Sequence, residues 1–205
     1  MEKIVEPSLD RLLRELNSFQ NLGNPRLTIL GLQLYSEHYV NEILMQKLEE
    51  PMKKGIINYL PFPQKLKILK KMGVVDKKRK SILLCLSSLR NIIVHQLVFS
   101  IQELNNELKK TKLGFRYWWT LNEESGKFVK SQNINLEEVY QDKIKDKFIQ
   151  LIISTILTIG LLYDDLNKLK GQKSKELIEV SFKKKENKWV FFCRSINYLK
   201  ANKIK

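Results

Sequence analysis

The chain has 205 residues, 43 % of them hydrophobic and 29 % charged, with 37 Lys and Arg against 22 Asp and Glu for a formal charge of +15. These figures exclude a disordered chain and fit one compact domain, with or without an appendage, long enough to bury a core. Only 8 Gly and 5 Pro leave little turn punctuation, which favours long helices. The positive field suits polyanions, nucleic acid or anionic membrane, although a Lys-rich solvated surface has the same composition.

The first predicted helix is capped by Ser8 and runs to about Gln20, with Leu9, Leu12, Leu13 and Leu16 on one face. Asn24 and Pro25 open a second helix that reaches about Glu49. Residues 50–62 read as a connector, and Pro63 opens a short helix ended by Gly73. A charged stretch from Asp76 to Lys80 leads into a fourth helix, about Ser81 to Lys109.

Residues 113–134 turn aromatic and then turn-forming. Strands at Phe115–Leu121 and Lys127–Ser131 fit a hairpin across Asn122–Gly126. A long helix follows from Asn135 to about Lys170. Its Phe148–Tyr163 run is shorter than the roughly 20 apolar residues of a membrane span and is interrupted by Gln150, Ser154, Thr155 and Thr158. The expectation is a helix buried in a bundle, and no membrane partner. After Gly171, two strand-like runs flank KKKENK in a basic extension.

The expected fold is therefore mostly α. A bundle of about five helices spans residues 1–170, with the aromatic hairpin inserted at about 113–134. Residues 171–205 form a basic C-terminal extension with hairpin character. Cys85 and Cys193 lie far apart and outside any CxxC or Cys/His cluster, so neither a disulfide framework nor a zinc site is expected. Charges recur through Met1–Leu13 and leave no signal-peptide core, so a cytoplasmic location is the simplest expectation. Adjacent carboxylates such as Asp164/Asp165 read as caps and surface.

Only two histidines occur, His38 and His95. His95 follows Arg90 by five residues and Asn91 by four. Asn91 and His95 share a helix face, whereas Arg90 and His95 point about 140° apart. One helix does not aim both at one spot; the pair could meet at a groove between helices, or across a two-fold axis where each partner supplies a copy. Histidine can accept or return a proton near neutrality, and arginine offers a forked cation to a phosphate. Asparagine can orient the imidazole or contact substrate. An RNA 2′-hydroxyl is a built-in nucleophile, so such a site calls for no metal or cofactor. By itself the spacing is equally that of a packing histidine beside a surface arginine.

The segment LRNIIVH resembles the Arg-Asn-x-x-x-His form of the motif of the HEPN superfamily (higher eukaryotes and prokaryotes nucleotide-binding). Its lead-in, FPQKLKILKKMGVV followed by a charged spacer and LCLSSLRNIIVH, is similar to members near the mannitol-operon repressor type. The likeness covers about residues 8–170 as architecture and about 62–96 as motif. It implies a HEPN-type bundle in which His95 transfers protons, Arg90 contacts and stabilises phosphate, and Asn91 is the polar position after the arginine. It further implies a metal-independent endoribonuclease with a composite site at a homodimer interface, acting on RNA as a toxin or in phage defence, with a cognate antitoxin or regulatory protein as a further partner. The alternative is a non-catalytic HEPN-fold regulator or adaptor that binds nucleic acid or a partner protein.

Two further segments are candidate RNA contacts. Arg116 and Trp118, among the aromatic residues 115–119, can stack unpaired bases or cover the end of the bundle. Lys183, Lys184 and Lys185 in the basic extension can track a nucleic-acid backbone, dock a partner, or stay solvated.

Overall fold

The computed structural model describes residues 9–21, 25–50, 52–95, 147–172, 176–185 and 188–197, the last two ranges as backbone only. Six helices and two strands lie in these ranges: α1 (Leu9–Asn21), α2 (Pro25–Lys47), α3 (Met52–Tyr59), α4 (Phe62–Lys71), α5 (Lys77–His95), α6 (Lys147–Leu169), β1 (Glu176–Lys185) and β2 (Lys188–Asn197). The described part of the chain is thus mostly helical. The aromatic segment with Arg116 and Trp118 lies outside the described residues, as does the expected continuation of the fourth helix to Lys109.

Leucine spacing dictates α1, whose Leu9, Leu12, Leu13 and Leu16 are all fully buried. The 23-residue α2 buries residues on several sides, from Ile29 and Leu32 to Ile43 and Leu44, and packs against α1, α4, α5 and α6. Helix α6 is the second central element. Every residue from Leu151 to Gly160 is buried, including Ser154, Thr155 and Thr158. The Thr158 hydroxyl donates to the Ser154 carbonyl at 2.8 Å, the local bond by which a helix tolerates such residues inside a core. No helix among the described residues is long and apolar enough to cross a membrane.

Thr155 is different. Its buried hydroxyl oxygen has no hydrogen-bond partner. A buried polar atom left unpaired costs about 1–3 kcal/mol, and valine has the same shape without the hydroxyl. Thr155→Val is therefore expected to raise the unfolding free energy by about 1 kcal/mol in a urea titration. A loss of that size would show that the hydroxyl is satisfied in solution.

The reading of residues 50–62 as a connector is corrected. Met52–Tyr59 form α3, between Pro51 and Pro61, and its Ile56 and Ile57 pack half-buried against the core. The helix count accordingly rises from the expected five to six among the described residues. The fourth helix also starts earlier, at Lys77 instead of Ser81. Asp76 is its N-cap: its Oδ1 accepts the Arg79 backbone N–H at 2.8 Å, and its carbonyl accepts that of Lys80 at 3.1 Å.

Gly73 and Gly171 close α4 and α6 as expected from glycine after a helix. Both have positive φ, 73° and 69°. Each sits in a pair of closing bonds, Val74 N–H to Leu69 O with Gly73 N–H to Lys70 O, and Gln172 N–H to Asn167 O with Gly171 N–H to Lys168 O. That two-bond closure needs the left-handed conformation glycine adopts without strain.

The α4–α5 turn is fastened by Arg79. Its guanidinium donates to the Val74 carbonyl at 2.7 Å, to Asp76 at 3.3 Å and to Asp165 of α6 at 2.7 Å. Asp164 pairs with Lys168 one turn later. The Asp164/Asp165 pair thus differs from the expected surface carboxylates: Asp164 is buried, and Asp165 ties two distant segments. A buried cation, Lys65, donates to Asn41 Oδ1 at 2.9 Å and lies 3.8 Å from Glu37.

Between α1 and α2, the Tyr35 hydroxyl donates to Glu15 at 3.0 Å, and Glu15 also receives Arg11 at 2.9 Å. Burial, reinforced by the Glu15 carboxylate, pushes the Tyr35 phenol up to about 12. Since the folded value lies above the unfolded one near 10, the fold favours the neutral phenol. That contribution is complete below about pH 10 and is lost as pH rises through about 12. Wild type is expected to lose more thermal stability over this window than Tyr35→Phe. Parallel losses would overturn the assignment.

The backbone of β1 pairs antiparallel with β2, with Val180 opposite Cys193 and Lys185 opposite Lys188, and β2 runs beside α1.

Candidate functional site

Helix α5 positions the segment singled out by the sequence. Its buried side carries Ile82, Leu83, Cys85, Leu86, Leu89 and Ile93 against α2, α4 and α6. Ser87 is buried as well, Leu84 and Ile92 pack half-buried against the core, and Arg90, Asn91 and His95 are all exposed.

Arg90 donates from its Nη1 to the Asn91 amide oxygen at 3.1 Å. Asn91 and His95 are four residues apart and share the outer face of α5. The structure therefore brings together Arg90 with Asn91, and Asn91 with His95. Arg90 leaves the helix about 140° from His95, as the 3.6-residue spiral requires.

Chemically, the segment offers a guanidinium that keeps most of its five donors free of Asn91 and an imidazole open to solvent. Within one chain these groups face different directions. Among the described residues, no three His, Cys, Asp or Glu side chains gather in a group that could hold a metal ion. His38 is half-buried in α2, with its ring 5.2 Å from that of Tyr39.

Lys183, Lys184 and Lys185 end β1, opposite Val190, Trp189 and Lys188. Their hairpin runs beside α1, whereas the main neighbours of α5 are α2, α4 and α6.

A feature not singled out from the sequence is the density of lysine around the α4–α5 turn. Residues 65–80 hold eight cations (Lys65, Lys67, Lys70, Lys71, Lys77, Lys78, Arg79 and Lys80) and one acid, Asp76. The signal was present as a charge run, but only the structure separates the two cations bonded within the fold, Lys65 and Arg79, from the six without an ion-pair partner among the described residues.

Compared with family models, with curated proteins and with solved structures, the chain gives no match.

Proposed function

We propose that this chain is a metal-independent endoribonuclease of the HEPN type, working as a homodimer in which Arg90 of one protomer meets His95 of its partner. The observation that carries the reading is the exposure of Arg90, Asn91 and His95 together at the end of a helix whose other side is buried in the core. A histidine and an arginine placed only to pack would contribute to the core, and these do not.

In this reading the neutral His95 imidazole takes the proton from an RNA 2′-hydroxyl. The 2′-oxygen attacks the adjacent phosphorus, the bond from phosphorus to the 5′-oxygen breaks, the leaving oxygen takes a proton from water, and the imidazolium gives its own proton back to the solvent. The products are a 2′,3′-cyclic phosphate and a 5′-hydroxyl end. Arg90 holds the non-bridging oxygens as their charge grows, and Asn91 steadies the guanidinium through the bond already present in the free chain. A toxin or defence role, checked by a cognate antitoxin or regulatory protein, fits such an activity.

The test is cleavage of RNA in excess EDTA by wild type, His95→Ala and Arg90→Ala. Cleavage by wild type alone, leaving cyclic phosphate ends, is expected. Equal cleavage by all three, or none by any at high protein concentration, leaves instead the non-catalytic regulator or adaptor.

A further inference from the structure

Of the eight cations between residues 65 and 80, two are consumed by the fold. Lys65 is 3 % exposed and bonded to Asn41, and Arg79 is bonded to Val74, Asp76 and Asp165. The other six behave differently. Lys67, Lys70, Lys71 and Lys77 are exposed and Lys78 and Lys80 half-exposed, and none has an ion-pair partner among the described residues.

Lys67, Lys70 and Lys71 fall within one arc of about 100° on α4, and the turn through Gly73 joins the end of that helix directly to the start of α5 at Lys77. Cations are favourable at the end of α4 but unfavourable at the start of α5, whose first turn carries no acid. Lys77, Lys78 and Lys80 at the start of α5 lie against that preference, all six like charges repel one another, and a bound polyanion relieves the repulsion.

The ridge is continuous with the candidate site. At 100° per residue, Lys77, Ser81, Leu84, Ser88, Asn91 and His95 lie within about 40° of one line along α5. All six are exposed or half-exposed. The line is about 27 Å long at 1.5 Å per residue, a span of several nucleotides. Lys77, Asn91 and His95 offer polar groups to phosphate and sugar, Ser81 and Ser88 donate to carbonyls of their own helix, and the line lacks the row of Leu, Phe or Trp that a membrane-embedded helix face presents.

We infer that the lysine ridge at the α4–α5 corner binds the phosphodiester backbone of single-stranded RNA and leads it along the outer face of α5 towards His95. The choice of RNA over other polyanions rests on the ribonuclease reading, while the ridge itself rests on charge, exposure and placement.

The experiment is fluorescence anisotropy of a labelled oligouridine of about 12 nucleotides, within the range of single-strand binding sites, as a function of salt. The full-length protein is used in EDTA, in the His95→Ala background so that the probe stays whole. Each lysine on a phosphate adds about 0.7 to the slope of log affinity against log salt for a single strand. Replacing Lys70, Lys71, Lys77 and Lys78 by Ala is therefore expected to lower that slope by about 2–3 and the affinity at least roughly tenfold. Replacing Lys183, Lys184 and Lys185 by Ala is expected to leave most of the slope.

An unchanged slope in the quadruple variant, with its thermal unfolding intact, overturns the inference. So does equal affinity for duplex DNA, or loss of RNA binding together with retained flotation on phosphatidylserine vesicles. The two readings fail separately. RNA bound through the ridge but not cleaved by wild type sinks the ribonuclease alone, whereas cleavage with an unchanged KM in the ridge variant, made with His95 intact, sinks the ridge alone.

Discussion

Replacing Arg79 by methionine is expected to lower the unfolding free energy by about 2–3 kcal/mol, a fall in Tm of roughly 5–10 °C for a chain of this size. The side chain is 15 % exposed and joins the α4–α5 turn to α6 through Asp165, 86 residues away. Methionine keeps much of the volume but leaves the Val74 carbonyl and the Asp165 carboxylate without their best donor. Asp165 stays within 4.0 Å of Lys168 and is 26 % exposed, so solvent and that lysine recover part of the loss. Asp165→Asn removes the stranded charge, and in the Arg79→Met background it should restore about 1 kcal/mol. A loss below about 0.5 kcal/mol for Arg79→Met would mean that the guanidinium is a surface ornament.

The second large effect concerns catalysis. His95→Ala is expected to reduce RNA cleavage by about 10²–10⁴, the range for loss of a positioned general base, and Arg90→Ala by about 10²–10³ for loss of a charge-stabilising donor. Because the two act on one transition state, the double variant should be little worse than His95→Ala alone. Arg90→Lys should recover only part of the rate, since a point charge does not reproduce the planar fork. All these residues are exposed, so thermal unfolding should be unchanged. That separates a lost site from a lost fold.

Much of the helical architecture was legible in the chain. The Leu9, Leu12, Leu13 and Leu16 spacing gives α1, and Asn24-Pro25 marks the start of α2 within a residue. Gly73 and Gly171 end their helices because the closing bonds demand positive φ there. Helix α3 was hidden because Pro51, Gly55 and Pro61 within eleven residues look like turn punctuation. A proline just before a helix and another just after it are compatible with a two-turn element between them. The start of α5 was misplaced because Asp76 looks like one more member of a charged loop, whereas its side chain caps the helix. No local pattern could reveal the Arg79–Asp165 pair, since tertiary packing alone brings those residues together.

The candidate site was legible in a more limited sense. That Asn91 and His95 share a face, and that Arg90 points elsewhere, follows from the helical period. The Arg90–Asn91 hydrogen bond and the exposure of all three do not, because burial is decided by α2, α4 and α6. The six lysines that have no ion-pair partner among the described residues were visible as composition but not as a surface, because telling Lys65 and Arg79 from their neighbours requires knowing their partners.

The divergence of Arg90 and His95 on one helix makes the proposed centre a shared one, and this can be tested by complementation. Purified Arg90→Ala and His95→Ala proteins, each inactive, are mixed, exchanged by mild denaturation and refolding, and assayed on RNA in EDTA. In a mixed dimer one centre lacks both groups, while the other retains Arg90 from the His95→Ala chain and His95 from the Arg90→Ala chain. Cleavage that reappears only on mixing, at about one quarter of the wild-type rate from random pairing, is the predicted result. A mixture as inactive as its components, although exchanged dimers are present, would contradict it.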